Sequence, residues 1–256
     1  MSIARKDLIE FLNELLRPED FIDYGPNGLQ IEGKEVISKM AFAVSATADS
    51  VQKAVDFGAD AMIVHHGLFW KFHGTKPLIG PFYNRVAPLI KADINLLSYH
   101  LPLDAHSHVG NAASIANLIG LTKLIAFGDH KGSATGVSGS FPAPIKAVDL
   151  KNKLEKILNH DVYHASPKGI DNISSIGIIT GGANGDWVHA LEQNLDAYLT
   201  GEMSEHDWHE SQESNIHMFA GGHHATEKFG IQNLQELIKN KLSIEETLYI
   251  DSSNPA

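Results

Sequence analysis

Two short stretches carry the ligand chemistry of this chain. One is Val64-His65-His66-Gly67 and the other is Gly221-Gly222-His223-His224-Ala225-Thr226-Glu227, with His100-Leu101-Pro102-Leu103-Asp104-Ala105-His106 between them. Imidazoles and carboxylates are the usual ligands of borderline divalent metals. Most of the 15 histidines fall in the windows 65–73, 100–108 and 206–224. Each window follows an apolar, strand-like run, so the donors are expected at strand ends, where ligands gather in open α/β sheets.

Spacing sorts these donors. Neighbours on a regular strand point to opposite faces, so His65 and His66 would diverge. Gly67 would let the backbone turn and bring both rings into one cavity at different angles, which suits two metals better than one. The plain alternative is one buried and one exposed histidine, each bonded to backbone. His223 and Glu227 stand four residues apart, one turn along one helix face. At a helix start His223 is expected neutral, because the helix dipole disfavours imidazolium there and the neutral ring is the ligating form. Glu227 has two oxygens and could bridge two cations; a solvated surface pair is the alternative. Asp104 is a candidate third ligand from the first half. His100 is a candidate general base or a group that orients a ligand, and Glu202 a candidate pocket-lining residue. His106, His108, His206 and His209 read as loop or polar-helix residues. His130, His160, His164 and His189 have no ligand spacing.

The elements that must position these residues alternate. Leu8, Leu12, Leu15 and Leu16 make residues 3–16 an amphipathic helix stopped by Pro18, and Tyr24-Gly25-Pro26-Asn27-Gly28 is turn chemistry. Strands are expected at 40–45, 61–64, 94–99, 176–180, 197–199, 216–220 and 247–250. Helices are expected at 49–57, 84–91, 112–118, 148–158, 187–194, 204–213 and 226–239. Such alternation implies α/β architecture with mostly parallel sheets. Asp60-Ala61-Met62-Ile63-Val64 and Asp196-Ala197-Tyr198-Leu199-Thr200 resemble one another, each after a helix. This reads as an internal duplication giving two similar lobes, with chance repetition of a common βα pattern as the alternative. The lobes are expected to divide at 126/127. Segment 127–170, with its Gly- and Ser-rich 132–140, breaks the rhythm at the start of the second lobe.

Composition narrows the function classes. The chain has 256 residues, 43% of them hydrophobic and 20% charged, which fits an ordinary globular protein with a sizeable core. It has no cysteine, so thiolate metal sites, disulfides and thiol nucleophiles are excluded. The net charge of −11 argues against broad affinity for nucleic acid, although bound cations can reverse the local sign for a small anionic substrate. No apolar run approaches the ~18 residues of a membrane span, and no signal-peptide pattern is present. The expected compartment is the cytoplasm.

At these residues the sequence resembles the GTP cyclohydrolase 1 type 2 homologue family, the NIF-three-like dinuclear metal-centre proteins. The resemblance covers nearly the whole chain. It is carried by Asp23-Tyr24-Gly25-Pro26-Asn27-Gly28-Leu29-Gln30-Ile31-Glu32-Gly33, Ile63-Val64-His65-His66-Gly67-Leu68-Phe69-Trp70-Lys71, His100 to His106, Thr200-Gly201-Glu202 and Gly221 to Glu227. Segment 127–170 matches poorly. The resemblance implies two interlocked α/β lobes with a metal site at their junction, and a toroidal homohexamer. It implies metal ligands at His65, His66, Asp104, His223 and Glu227, with Glu227 bridging. Two divalent ions per subunit follow, drawn from Zn, Mn, Fe, Co or Ni.

Three functions fit this picture. The first is a metal-dependent hydrolase acting on a nucleotide or related heterocycle, in which His100 shuttles a proton. The second is a non-catalytic metal-binding or regulatory ring protein, and the third a structural metal site. An exchangeable coordination position would separate the first from the second, and loss of stability on chelation would mark the third.

Overall fold

The computed structural model describes residues 1–256. The chain divides into two compact units, residues 1–103 with 230–253 and residues 104–229 with 254–256. The sequence-based boundary at 126/127 is a different cut. The chain crosses between units twice inside helices, where no composition change marks the passage, and once more at 253/254.

In the first unit the elements are β1 (Ile3–Ala4), α1 (Arg5–Leu16), β2 (Gly28–Ile31), β3 (Val36–Ile37), β4 (Lys39–Ser45), α2 (Ala48–Phe57), β5 (Ala61–His66), α3 (Gly80–Lys91), β6 (Asn95–Ser98) and the start of α4 (Leu101–Ala105). A five-stranded sheet has the order β13-β4-β5-β6-β2, where β13 is Glu246–Ile250. Its pairings are parallel except at the β2 edge. The strands at its centre are apolar on both faces: Met40 to Val44 and Ala61 to Val64 are all buried, as expected for parallel strands covered on both sides. Helix α2 starts at a capping box, in which Thr47 Oγ1 accepts from Ser50 N at 3.1 Å and Ser50 Oγ accepts from Thr47 N at 2.9 Å, two orphan amides satisfied reciprocally.

The second unit contains α5 (Asn111–Ile119), β7 (Thr122–Phe127), β8 (Gly136–Lys146), α6 (Ala147–Leu158), β9 (Tyr163–Ala165), β10 (Asn172–Ile178), α7 (Val188–Glu192), β11 (Ala197–Thr200), α8 (Glu205–Glu213), β12 (His217–Ala220) and the first turns of α9 (His223–Leu242). Its six strands run β7-β8-β10-β11-β12-β9. The centre, β10-β11-β12, is parallel, and β7, β8 and β9 flank it antiparallel. Leu150, Leu154 and Leu158 of α6 are buried in one hydrophobic cluster with Ile173, Ile176 and Ile178 of β10.

The chain is thus α/β with two sheets of parallel centre. The antiparallel strands β7, β8 and β9 were absent from the sequence reading. They fall in or beside 127–170, where glycine, serine and proline mask the alternation a strand shows.

Asp60 and Asp196 do the same work in the two units. Asp60 Oδ2 accepts from Ser38 N, Ser38 Oγ and Lys39 N at 2.9, 2.9 and 3.0 Å. Asp196 Oδ2 accepts from Ser174 N, Ser175 N and Ser175 Oγ at 2.7, 3.0 and 3.2 Å. Each carboxylate, just before one parallel strand, ties down the amides in the first residues of the neighbouring strand or just before it.

Candidate metal centre

Strand β5 ends on the two histidines instead of stopping before them. His65 is fully buried and His66 half-buried, yet their ring centroids lie only 4.6 Å apart, tilted by 44°. Gly67 follows directly after the strand's last residue. Gly67 is not in the left-handed region; a Cβ there would strike the Gln30 amide. Gln30 accepts from Leu68 N and donates to Pro26 O, both at 2.8 Å, so the glycine makes room for a clamp on the strand end.

Hydrogen bonds set the tautomers. His65 Nδ1 lies 3.1 Å from Tyr99 O. A carbonyl only accepts, so Nδ1 carries the proton and the neutral ring has its lone pair on Nε2. His66 Nδ1 pairs with Ser45 Oγ at 2.9 Å. His100 follows β6, and its Nδ1 donates to Asp23 Oδ1 at 2.7 Å. His65, His66 and His100 each offer a nitrogen within 4.8 Å of the others'.

Asp23 escaped the sequence reading as a functional residue. It is 4% exposed and accepts from Tyr24 N at 2.6 Å, Asn27 Nδ2 at 2.9 Å and Leu101 N at 3.0 Å, besides His100. Burial alone would raise its pKa, but the His100 hydrogen bond and charge, with Asn27 and Tyr24, lower it to about 2. Asn27 Oδ1 also accepts from His100 N at 2.8 Å. In sequence Asp23 and Asn27 are ordinary turn residues; only their burial separates them from a solvated turn.

The second unit holds a carboxylate-rich cluster. Asp104, in α4, is buried, and its Oδ1 accepts from Asn111 Nδ2 at 2.8 Å and Thr180 Oγ1 at 3.0 Å. A carboxylate oxygen of Asp104 lies within 4.8 Å of one of Glu227. Helix α9 starts at His223, earlier than periodicity suggested, because Gly221 and Gly222 carry no side-chain pattern to reveal its first turn. His223 Nε2 and Glu227 Oε2 are 3.2 Å apart, and Glu227 is 2% exposed. Gly181 has φ +71°, and a Cβ there would overlap the Glu227 carboxylate. Thr226 Oγ1 accepts from Gly181 N at 3.1 Å, tying that loop to the helix start.

The expectation of a neutral His223 is corrected. Its Nδ1 donates to Glu202 Oε1 at 2.5 Å, so a carboxylate faces each ring nitrogen. Burial lowers its pKa, but Glu227 and Glu202 outweigh burial and raise it to about 9. Two nearby anions exceed the partial charge of a helix end.

The other histidines have local roles. His106 Nδ1 accepts from His108 N and Val109 N, both at 3.1 Å. His206 lies beside Asp207 and His209 beside Glu205. His164 and His217 pair at 3.0 Å.

Each unit's donors are of types that suit borderline divalent cations: imidazoles in the first, and buried carboxylates with an imidazole in the second. These His, Asp and Glu groups could hold metal ions.

Comparison with known proteins agrees over the full length. The family model for Duf34/NIF3 (NGG1p interacting factor 3) matches residues 3–255. A relative from Haemophilus influenzae, named GTP cyclohydrolase 1 type 2 homolog, is 39% identical over 251 residues, 98% of each chain. The solved structure of protein ybgI, described as of unknown function, superposes with TM-score 0.92 at 36% identity, covering 99% of this chain and 100% of that one. The solved structure of TTHA1606 from Thermus thermophilus gives TM-score 0.89 at 28% identity over 99% and 100%.

Proposed function

The chain belongs to the Duf34/NIF3 family, and from that premise we propose that it is a metal-dependent hydrolase with a dinuclear centre, acting on a nucleotide or related heterocycle. The ligands in this reading are His65, His66, Asp104, His223 and Glu227, with Glu227 bridging. When bound, two divalent cations would supply Lewis acidity and water activated at neutral pH. The reaction class is suggested by the relatives named GTP cyclohydrolase 1 type 2 homolog.

One observation carries the catalytic part of the reading: the Asp23–His100 pair. The buried Asp23 carboxylate orients the His100 imidazole beside His65 and His66. Asp23 fixes Nδ1 as the protonated nitrogen of His100 and leaves Nε2 to accept or return a proton. This is the base–orienter arrangement of general acid–base catalysis. His65 and His66 supply imidazole, Asp104 and Glu227 supply charge, and Ser45 and Asn111 keep His66 and Asp104 in place.

The ring reading fits the same ligands. A homohexamer rests on the resemblance alone, and light scattering on the full chain tests it. The functional test is Glu227→Ala assayed with nucleotides and pterin precursors after metal loading. The expected result is loss of at least one metal per chain together with turnover. Turnover that persists with both metals gone contradicts the hydrolase.

A further inference from the structure

The second unit contains a cleft of about 600 Å³, a size typical of small-molecule sites. Its walls include Tyr163, Glu202, Glu205, Trp208 and His209, with His160 behind. Glu202 joins the cleft to the donor cluster through its 2.5 Å hydrogen bond from His223.

The lining has a definite chemistry. It contains two carboxylates and neither lysine nor arginine. Its imidazoles are already engaged: His209 Nε2 lies 3.3 Å from Glu205 Oε1, and His160 meets Asp161 O at 2.7 Å and Pro255 O at 3.2 Å. The start of α9 borders the cleft at Gly222 but does not present its second amide, because His224 N donates to Ala256 O at 3.2 Å. A phosphate entering here would meet the Glu202 and Glu205 carboxylates with neither lysine nor arginine beside them. Trp208 is 38% exposed and Tyr163 69% exposed. Such rings offer stacking faces to a flat ligand, and carboxylates accept from ring N–H groups.

We propose that this cleft binds the heterocycle of the substrate, an uncharged nitrogen ring bearing amino or imino N–H groups, and leaves any phosphate outside. The word substrate rests on the hydrolase reading above; binding in the cleft does not need the metals. The reading therefore separates base recognition, in the second unit's cleft, from the chemistry at the cations.

The test uses the full chain after chelation, titrated calorimetrically with guanosine and with its 5′-triphosphate. Guanosine should bind roughly tenfold more tightly than the triphosphate. Trp208→Leu should weaken guanosine binding roughly tenfold and Trp208→Phe should largely restore it, the size of one stacked ring. Glu205→Gln should narrow the gap between the two ligands. Equal or tighter triphosphate binding overturns the proposal, as does guanosine binding indifferent to Trp208→Leu. If the leucine variant does not fold, the phenylalanine and glutamine variants still decide. Metal content is measured on separate, loaded samples. Failure of the centre with guanosine binding intact sinks the hydrolase reading alone, and failure of guanosine binding with the centre and turnover intact sinks the cleft assignment alone.

Discussion

Carboxylates decide the behaviour of the imidazoles at this site. Glu202 and Glu227 hold His223 protonated up to pH about 9, so a cation taking that nitrogen must displace a proton. Below pH 9 each unit of pH should then change apparent metal affinity by up to about tenfold, tighter as pH rises, and the dependence should level off above 9. Competition titration with a chromophoric chelator from pH 6.5 to 9.5 measures this; a flat profile would show that His223 is not a ligand. Asp23 acts in the opposite sense. Its lowered pKa, from 3.8 to about 2, contributes stability that is complete above pH 4 and lost as pH falls through 2. Asp23→Asn should cost about 1–3 kcal/mol in urea unfolding at pH 7, because an amide turns one of its own donors toward the groups that now donate to the carboxylate. In the hydrolase reading it should also lower kcat with metal content unchanged. An unchanged kcat would leave His100 a structural residue.

At the level of elements, the sequence showed what periodicity can show. The runs Met40 to Ser45 and Ala61 to Val64, and the helix built on Leu8, Leu12 and Leu16, were legible because their apolar pattern is strong. The last two residues of β5 were not, because histidine has no hydrophobic signature. Nor were β7, β8 and β9: the edge strand β7 carries mixed residues, with Thr122, Lys123, Ile125 and Ala126 all exposed, and glycine, serine and proline interrupt β8. The ligand candidates were visible as residue types, but their supports were not. Asn111, Thr180 and Thr226 are common residues whose role exists only once the chain has folded. The β9–β12 edge carries its own titration. His164 is held down from 6.5 to about 4 by burial first and then by the charges of His217 and Lys151. Its unfolded form takes up a proton near pH 6.5 while the folded form resists until about 4, so stability should fall as pH drops through that window. Asp196 and Asp171 face His217 and oppose the depression of its own pKa. His164→Phe should shrink the loss in urea midpoint between pH 7 and pH 5; an unchanged loss would place the acid sensitivity elsewhere.

For the molecule as a whole, the two units share one plan. Each has a parallel sheet centre, an aspartate before one central strand that binds amides at the start of its neighbour, and metal-donor residues at the far ends of its strands. In the first, β5 ends on His65 and His66, and β6 leads to His100. In the second, β12 leads through two glycines into α9 with His223 and Glu227. In the matching segments that begin at Asp60 and Asp196, the histidine pair after Val64 stands where the second unit has Gly201 and Glu202. Anomalous diffraction from crystals grown with zinc tests the central claim most directly. The account predicts two peaks per chain roughly 3.5–4 Å apart, bounded by His65, His66, Asp104, His223 and Glu227. A single peak, or peaks away from these five side chains, would contradict it.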